Sequence, residues 1–77
     1  MDGLPLDLLQ RFGCVDRRWR SVRVDVQRQG NFTLALLYDD ASGVRSFGIA
    51  KRNVSDEERP EHAARLAIAR ALRRLTA

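Results

Sequence analysis

Hydrophobic and polar residues alternate along one segment of the chain in the way that a half-buried β-strand requires. Between Trp19 and Val26, three valines at every second position share one face, and the positions between them carry polar side chains. Residues 28–31, Arg-Gln-Gly-Asn, predict a turn after this segment. We therefore expect a first strand over Trp19–Val26, with Trp19 and Arg23 on the face opposite the valines.

Two further strands are predicted downstream. Phe32–Tyr38 is apolar on both faces, which is typical of the central, best-covered strand of a sheet. Residues 39–43 are rich in turn formers, and Val44–Lys51 then predicts a third strand with Gly48 in its middle. The short connections favour an antiparallel meander.

A short and a long helix flank these strands. Pro5 suits a first helical position and Gly13 a left-handed cap, so residues 5–12 predict a short helix. Near the other end, residues 55–58 have capping-box spacing, but Pro60 disfavours helical geometry just before it. We expect a turn over residues 55–59 and a helix from Pro60 to about Leu75. The fold class is therefore α+β, in the order αβββα, with a single domain over residues 1–77.

The long helix has one apolar stripe and one unexpected residue on its opposite face. The stripe is rich in alanine, which permits a close approach to the sheet, and consists of Ala64, Ala67, Ile68, Ala71, Leu72 and Leu75. Leu66 lies opposite, in a row with His62, Ala69 and Arg73. One interpretation is a lone exposed leucine, which is common on protein surfaces. The other is that His62, Leu66, Ala69 and Arg73 contact a protein partner or a second copy of the chain.

The charge of the chain suggests a second surface. The net charge is +4, and of the 14 basic residues only Lys51 is a lysine. Arginine suits bidentate recognition of phosphate, although a GC-rich coding sequence would also enrich it. The densest cluster surrounds an aromatic ring that could stack on a base, and predicts a nucleic-acid-binding surface of Arg17, Arg18, Trp19, Arg20 and Arg23. Alternatively, Trp19 packs into the core and the arginines are solvated around it.

The residues that carry chemistry are few. Cys14 and His62 are the only cysteine and histidine, so neither an intrachain disulfide nor a tetrahedral zinc site can form. Asp39 and Asp40 are adjacent in a predicted turn, without a third ligand nearby in sequence. Cys14 has no base to pair with, which favours a structural thiol. We therefore expect no enzyme, no cofactor and no metal.

Length and hydropathy limit the location and assembly of the chain. The 77 residues contain no apolar run of the roughly 20 residues that span a bilayer, and the N-terminus lacks the pattern of a signal peptide. We expect a cytoplasmic protein that does not enter a membrane. A domain of this size is marginally stable by itself, so a homodimer or a permanent partner is an open alternative.

The helix–strand–strand–strand–helix order resembles the double-stranded-RNA-binding domain over nearly the whole chain. That family contacts phosphates with a lysine-rich start to its last helix. Residues 55–61 stand at that place here and are acidic, and residues 28–31 replace the glycine-proline-histidine loop of the family. The resemblance therefore implies the fold without the family's mode of RNA binding.

The last third of the chain resembles short uncharacterised proteins of phages and mobile elements. The resemblance is carried by residues 47–53, Asp56 and residues 67–72, which form a Gly-x-Ala-Lys step, an acidic link and an Ala-x-Ala-Arg-Ala-Leu helix. It implies a non-enzymatic binding module that docks on a host protein or nucleoprotein complex and modulates or inhibits it. An inhibitor of a defence nuclease, of the anti-CRISPR kind, would be one example. Nucleic-acid binding through the arginine cluster is the alternative.

Overall fold

The computed structural model describes residues 4–39, 41, 43–53 and 59–76. It has the predicted α+β architecture, with two α-helices flanking an antiparallel sheet. The elements in chain order are α1 (Leu6–Arg11), a 3₁₀ helix (Arg17–Arg20), β1 (Arg23–Gln29), β2 (Phe32–Asp39), β3 (Gly43–Lys51) and α2 (Pro60–Thr76). The turn predicted over residues 55–59 falls almost wholly outside the described residues.

The three strands form a meander in the order β1-β2-β3, so β2 is the central strand as predicted. Gly30 and Asn31 connect β1 to β2 in a two-residue hairpin turn. Gly30 has a positive φ of 60°, a conformation that glycine adopts with less strain than other residues. The second pairing is regular except for a shift between Leu37 and Tyr38.

The prediction that β1 begins at Trp19 is wrong. The Asp16 carboxylate accepts a hydrogen bond of 3.0 Å from the backbone N–H of Arg18 and caps a 3₁₀ helix that includes Trp19. The capped 3₁₀ helix forms here in place of the extended conformation that the alternating pattern predicts, and the strand starts only at Arg23. Trp19 and Arg23 therefore do not share a strand face.

Helix α2 packs on one face of the sheet with its alanine-rich stripe. Four residues of the stripe are completely buried, namely Ala67, Ile68, Ala71 and Leu72. The approach is close because the inward residues of β3 are small. The Ser46 hydroxyl donates a buried hydrogen bond of 2.7 Å to the carbonyl oxygen of Ala71, and Gly48 lies directly under the helix backbone.

Helix α1 packs against the same core. Leu8 and Cys14 belong to one buried cluster with Val24, Leu37 and the stripe of α2. The two helices are also joined by an ion pair between Asp7 and Arg65. Both helices therefore cover the same face of the sheet, and the other face is left without a described element over it.

Candidate functional site

The uncovered face of the sheet carries most of the large apolar side chains that are exposed in the described part of the chain. Cross-strand pairs place the outward residues in four levels of three, and we call these twelve residues the open face. The levels are Arg23–Tyr38–Val44, Asp25–Leu36–Phe47, Gln27–Leu34–Ile49 and Gln29–Phe32–Lys51. Helix α2 covers one face of the sheet, as predicted, and the outward side chains of β2 lie on the other face.

The open face is divided along the strands into an apolar and a polar part. Strands β2 and β3 contribute large apolar side chains, of which Phe32 is 50% exposed, Val44 61%, Phe47 40% and Ile49 44%. Strand β1 contributes only polar side chains, and the Gln27 amide donates a hydrogen bond of 2.8 Å to Asp25. A docked surface would meet a hydrocarbon stripe bordered on one side by a polar row.

The position of α2 explains why large side chains point outward on β3. A Cβ on Gly48 would lie 2.0 Å from the carbonyl oxygen of Ala67, so the inward positions beneath the helix must be small. Ser46 and Ala50, the other inward residues, are small as well. The bulky residues of β3, Phe47 and Ile49, alternate with them and therefore lie on the open face.

Basic side chains border the free edge of β3. Arg70 of α2 donates a hydrogen bond of 2.6 Å to the carbonyl oxygen of Ile49, which occupies a backbone group that another strand could use. The Arg74 guanidinium carbon lies 4.5 Å from the centre of the Phe47 ring, and the Lys51 ammonium lies 5.6 Å from that of Phe32. One backbone acceptor on this edge is therefore already engaged by a side chain of α2.

The predicted partner row on α2 is a much smaller surface. His62, Leu66 and Arg73 are exposed, but Ala69 is half-buried and packs against the core. Leu66 is 37% exposed and is the one large apolar side chain of the row. Three residues of the row are thus exposed and Ala69 is not, so the row offers a partner little apolar area.

The structure divides the predicted arginine cluster. Arg17, Arg18 and Arg20 lie on the 3₁₀ helix, whereas Arg23 belongs to the polar row of the open face. Arg18 forms an ion pair of 2.7 Å with Asp16, and this hydrogen bonding lowers the pKa of the Asp16 carboxyl. Trp19 is half-buried against the core, so most of its ring is not available for stacking on a base.

Groups that could do chemistry are not assembled in the described residues. These residues contain no cluster of three or more histidine, cysteine, aspartate or glutamate side chains that could hold a metal. Cys14 is buried, and desolvation raises the pKa of its thiol, with a contribution from the nearby Asp16 carboxylate. This agrees with a structural thiol. Neither described helix is long and apolar enough to cross a bilayer.

A family model described as Rv2632c-like matches residues 17–77. The chain belongs to the Rv2632c-like family. The matched segment includes all three strands and α2, so the complete open face falls within the part that defines the family, whereas α1 lies outside it. No curated protein and no solved structure matches the chain.

Sequence reasoning missed the open face, although a signal for it was present. In β3, the small residues Ser46, Gly48 and Ala50 alternate with Phe47 and Ile49. This pattern indicates that a close-packed helix lies on the side of the small residues. The apolar residues on both faces of β2 then require a second cover, and two helices that share one face cannot supply it.

Proposed function

We propose that this member of the Rv2632c-like family is a non-enzymatic binding module that docks on a protein partner through its open face. The observation that carries the proposal is the contiguous stripe of apolar side chains on β2 and β3, four of which are 40–61% exposed. Large contiguous apolar patches on the surface of soluble proteins mark sites where other molecules bind.

The composition of the open face favours a protein partner over a nucleic acid. Nucleic acids are held by free aromatic rings that stack on bases and by cations that contact phosphates. Here Arg74 of α2 and Lys51 of β3 already lie against the rings of Phe47 and Phe32. The remaining apolar side chains are mostly aliphatic and fit the side chains of another protein better than the flat face of a base.

The same surface supports binding rather than catalysis. Among the open-face residues the one carboxylate, Asp25, accepts a hydrogen bond from Gln27. The other side chains of the face are hydrocarbons, amides, a phenol and two cations, which can hold a partner in place but do not form a nucleophile–base pair.

The sequence-based hypothesis of a phage or mobile-element protein that modulates a host complex extends this proposal. It stays a prediction, because the family assignment names no partner or origin. Nucleic-acid binding through the arginine cluster also stays a prediction. It is less favoured, since Trp19 packs against the core and Arg18 is paired with Asp16.

Site-specific photo-crosslinking in cells that express the chain tests the proposal. Phe47 is replaced by benzoylphenylalanine, which keeps an aromatic side chain on the open face. The same replacement at Gln10, an exposed position of α1, is the matched control, and one at Leu66 tests the helix row. We expect a crosslinked protein from position 47 and not from position 10. Crosslinking from position 66 alone would overturn the proposal in favour of the helix row, and no crosslink from position 47 would also contradict it.

A further inference from the structure

We propose that the occupant of the open face is a second copy of this chain, stacked face to face with each strand antiparallel to its counterpart. The inference rests on the proposed function and names the partner of the same surface. Its basis is the distribution of apolar and charged residues over the four levels of the open face.

The division of the face into an apolar and a polar part selects one way of stacking. Two sheets can be related by a two-fold axis that lies between them, either along the strands or across them. An axis along the strands would place the polar row of β1 over the apolar side chains of β3. An axis across the strands places β1 over β1, β2 over β2 and β3 over β3, so apolar residues meet apolar residues and the two polar rows meet each other.

The levels then fix the register. With the axis midway between the second and third levels, Leu36 lies over Leu34 of the second copy and Phe47 over Ile49. The outer levels bring Tyr38 over Phe32, two aromatic rings. The centre of the interface is therefore mostly hydrocarbon, and the Arg74 guanidinium lies against Phe47 at its β3 border.

This register also avoids like charges in direct opposition. Asp25 lies over Gln27 of the second copy, and Arg23 over Gln29. Lys51 lies over Val44, where its aliphatic stem can pack while its ammonium reaches solvent. If the axis instead passed through the second level, Asp25 would face Asp25, which would oppose association.

The size of the open face fits a reversible dimer. Stacking three strands over four levels would bury on the order of 1,000 Å² in total, which is the lower end for a specific interface. Weak and transient complexes occupy this end of the size range, so we expect a reversible dimer, with a dissociation constant on the order of micromolar, rather than a permanent complex. A domain of 77 residues gains from such an assembly because its own core is small.

The net charge gives the dimer a characteristic response to salt. Each copy carries a net charge of +4, so two copies repel each other at long range. Added salt screens this repulsion, with a Debye length of about 8 Å at physiological ionic strength. The dimer should therefore strengthen between low and physiological salt, whereas binding through phosphates weakens over the same range.

Sedimentation equilibrium of the purified chain at low and physiological salt is the first test. We expect a monomer–dimer equilibrium that shifts towards the dimer with salt. Phe47→Asp should weaken it at least about a hundredfold, because each dimer would bury the charge twice. Leu66→Asp, the control on α2, should leave it unchanged. A wild-type chain that stays monomeric at about 100 μM, well above a micromolar dissociation constant, would overturn the inference. A dimer that Phe47→Asp leaves intact would overturn it too.

A mixing experiment tests the register between the two copies and also shows whether the variants are folded. Ile49→Lys should abolish the homodimer as Phe47→Asp does. In a mixture of the two variants, position 47 of one chain lies over position 49 of the other, so an opposite-charge pair forms and association should recover. Failure to recover would overturn the antiparallel stacking.

The crosslinks from position 47 separate failure of this inference from failure of the proposed function. A crosslinked peptide from the same chain supports both. A peptide from another protein, together with a monomeric purified chain, leaves the proposed function intact and overturns the second copy. Absence of any crosslink contradicts the proposed function itself.

Discussion

The Cβ that Gly48 lacks would lie 2.0 Å from the carbonyl oxygen of Ala67 and 2.5 Å from the backbone nitrogen of Ala71. Both atoms belong to the backbone of α2, so no side-chain rotation can relieve the contact. We predict that Gly48→Ala lowers the free energy of unfolding by about 3 kcal/mol or prevents folding, as overpacking of a rigid contact does. Urea denaturation of the purified variant measures the effect.

Ser46→Ala is the matched control for Gly48, because it changes a neighbouring inward position of β3 without adding volume. It removes the hydrogen bond from the Ser46 hydroxyl to Ala71 and should cost about 1 kcal/mol. If Gly48→Ala proves no more destabilising than Ser46→Ala, the close approach of α2 to β3 is incorrect.

The order of elements was predictable because turn-forming residues separate the strands and the apolar stripe of α2 has a helical period. The start of β1 was not, because a single local bond decided it. Asp16 caps the 3₁₀ helix through the backbone N–H of Arg18, and that bond outweighs the alternating pattern from Trp19 onward. A pattern of apolar residues predicts which face of a strand is buried. It does not predict where a side-chain cap starts a helical turn in place of the strand.

The candidate site was harder to predict than the fold, because it depends on where two helices lie. The apolar residues of β2 were interpreted as the best-covered strand, and the face on which α1 lies was not predicted. Leu8 and Cys14 place α1 beside α2 in the same core. The position of α1 depends on tertiary packing. This packing includes the ion pair between Asp7 and Arg65, two residues that are far apart in the sequence. Leu66, by contrast, was correctly placed on the exposed side of α2.

The ion pair between Asp7 and Arg65 should give the fold a dependence on acid pH. Hydrogen bonding to Arg65 lowers the pKa of Asp7 below its ordinary value of 3.8. A carboxyl whose pKa is lower in the folded state contributes stability above its unfolded pKa and loses it as the pH falls through the folded pKa. We predict that Asp7→Asn is less stable than the wild-type chain near pH 6, and that the two converge as the pH falls through the lowered pKa of Asp7.

Urea midpoints at several pH values check this difference. Asp25→Asn, which removes a carboxylate hydrogen-bonded to Gln27, is the control for the loss of one carboxylate. Asp16 retains its own bond to Arg18 in both variants, so part of the acid sensitivity should persist. An Asp7→Asn chain as stable as the wild type near pH 6 would show that the pair does not contribute.

Cys14 should report whether the connection after α1 stays packed. The side chain is 1% exposed, and burial raises the pKa of its thiol. The native protein should therefore react slowly with a thiol reagent at pH 8, and rapidly once denaturant unfolds it. Leu8→Ala, which creates a cavity next to this segment, should accelerate labelling under native conditions. Equal rates in native and unfolded protein would contradict the burial of Cys14.

The arginine cluster should contribute only non-specific electrostatic attraction to nucleic acids and should not form a dedicated binding site. Arg18 is engaged by Asp16, and Trp19 packs against the core. We predict that single-stranded DNA and RNA bind weakly at low salt and are released at physiological salt. Arg18→Ala with Arg20→Ala should weaken the low-salt binding no more than Arg11→Ala with Arg73→Ala, which removes the same charge elsewhere. Fluorescence anisotropy of labelled oligonucleotides measures both. Binding that survives physiological salt, is lost only in the cluster variant and quenches Trp19 fluorescence would establish the cluster as a nucleic-acid site.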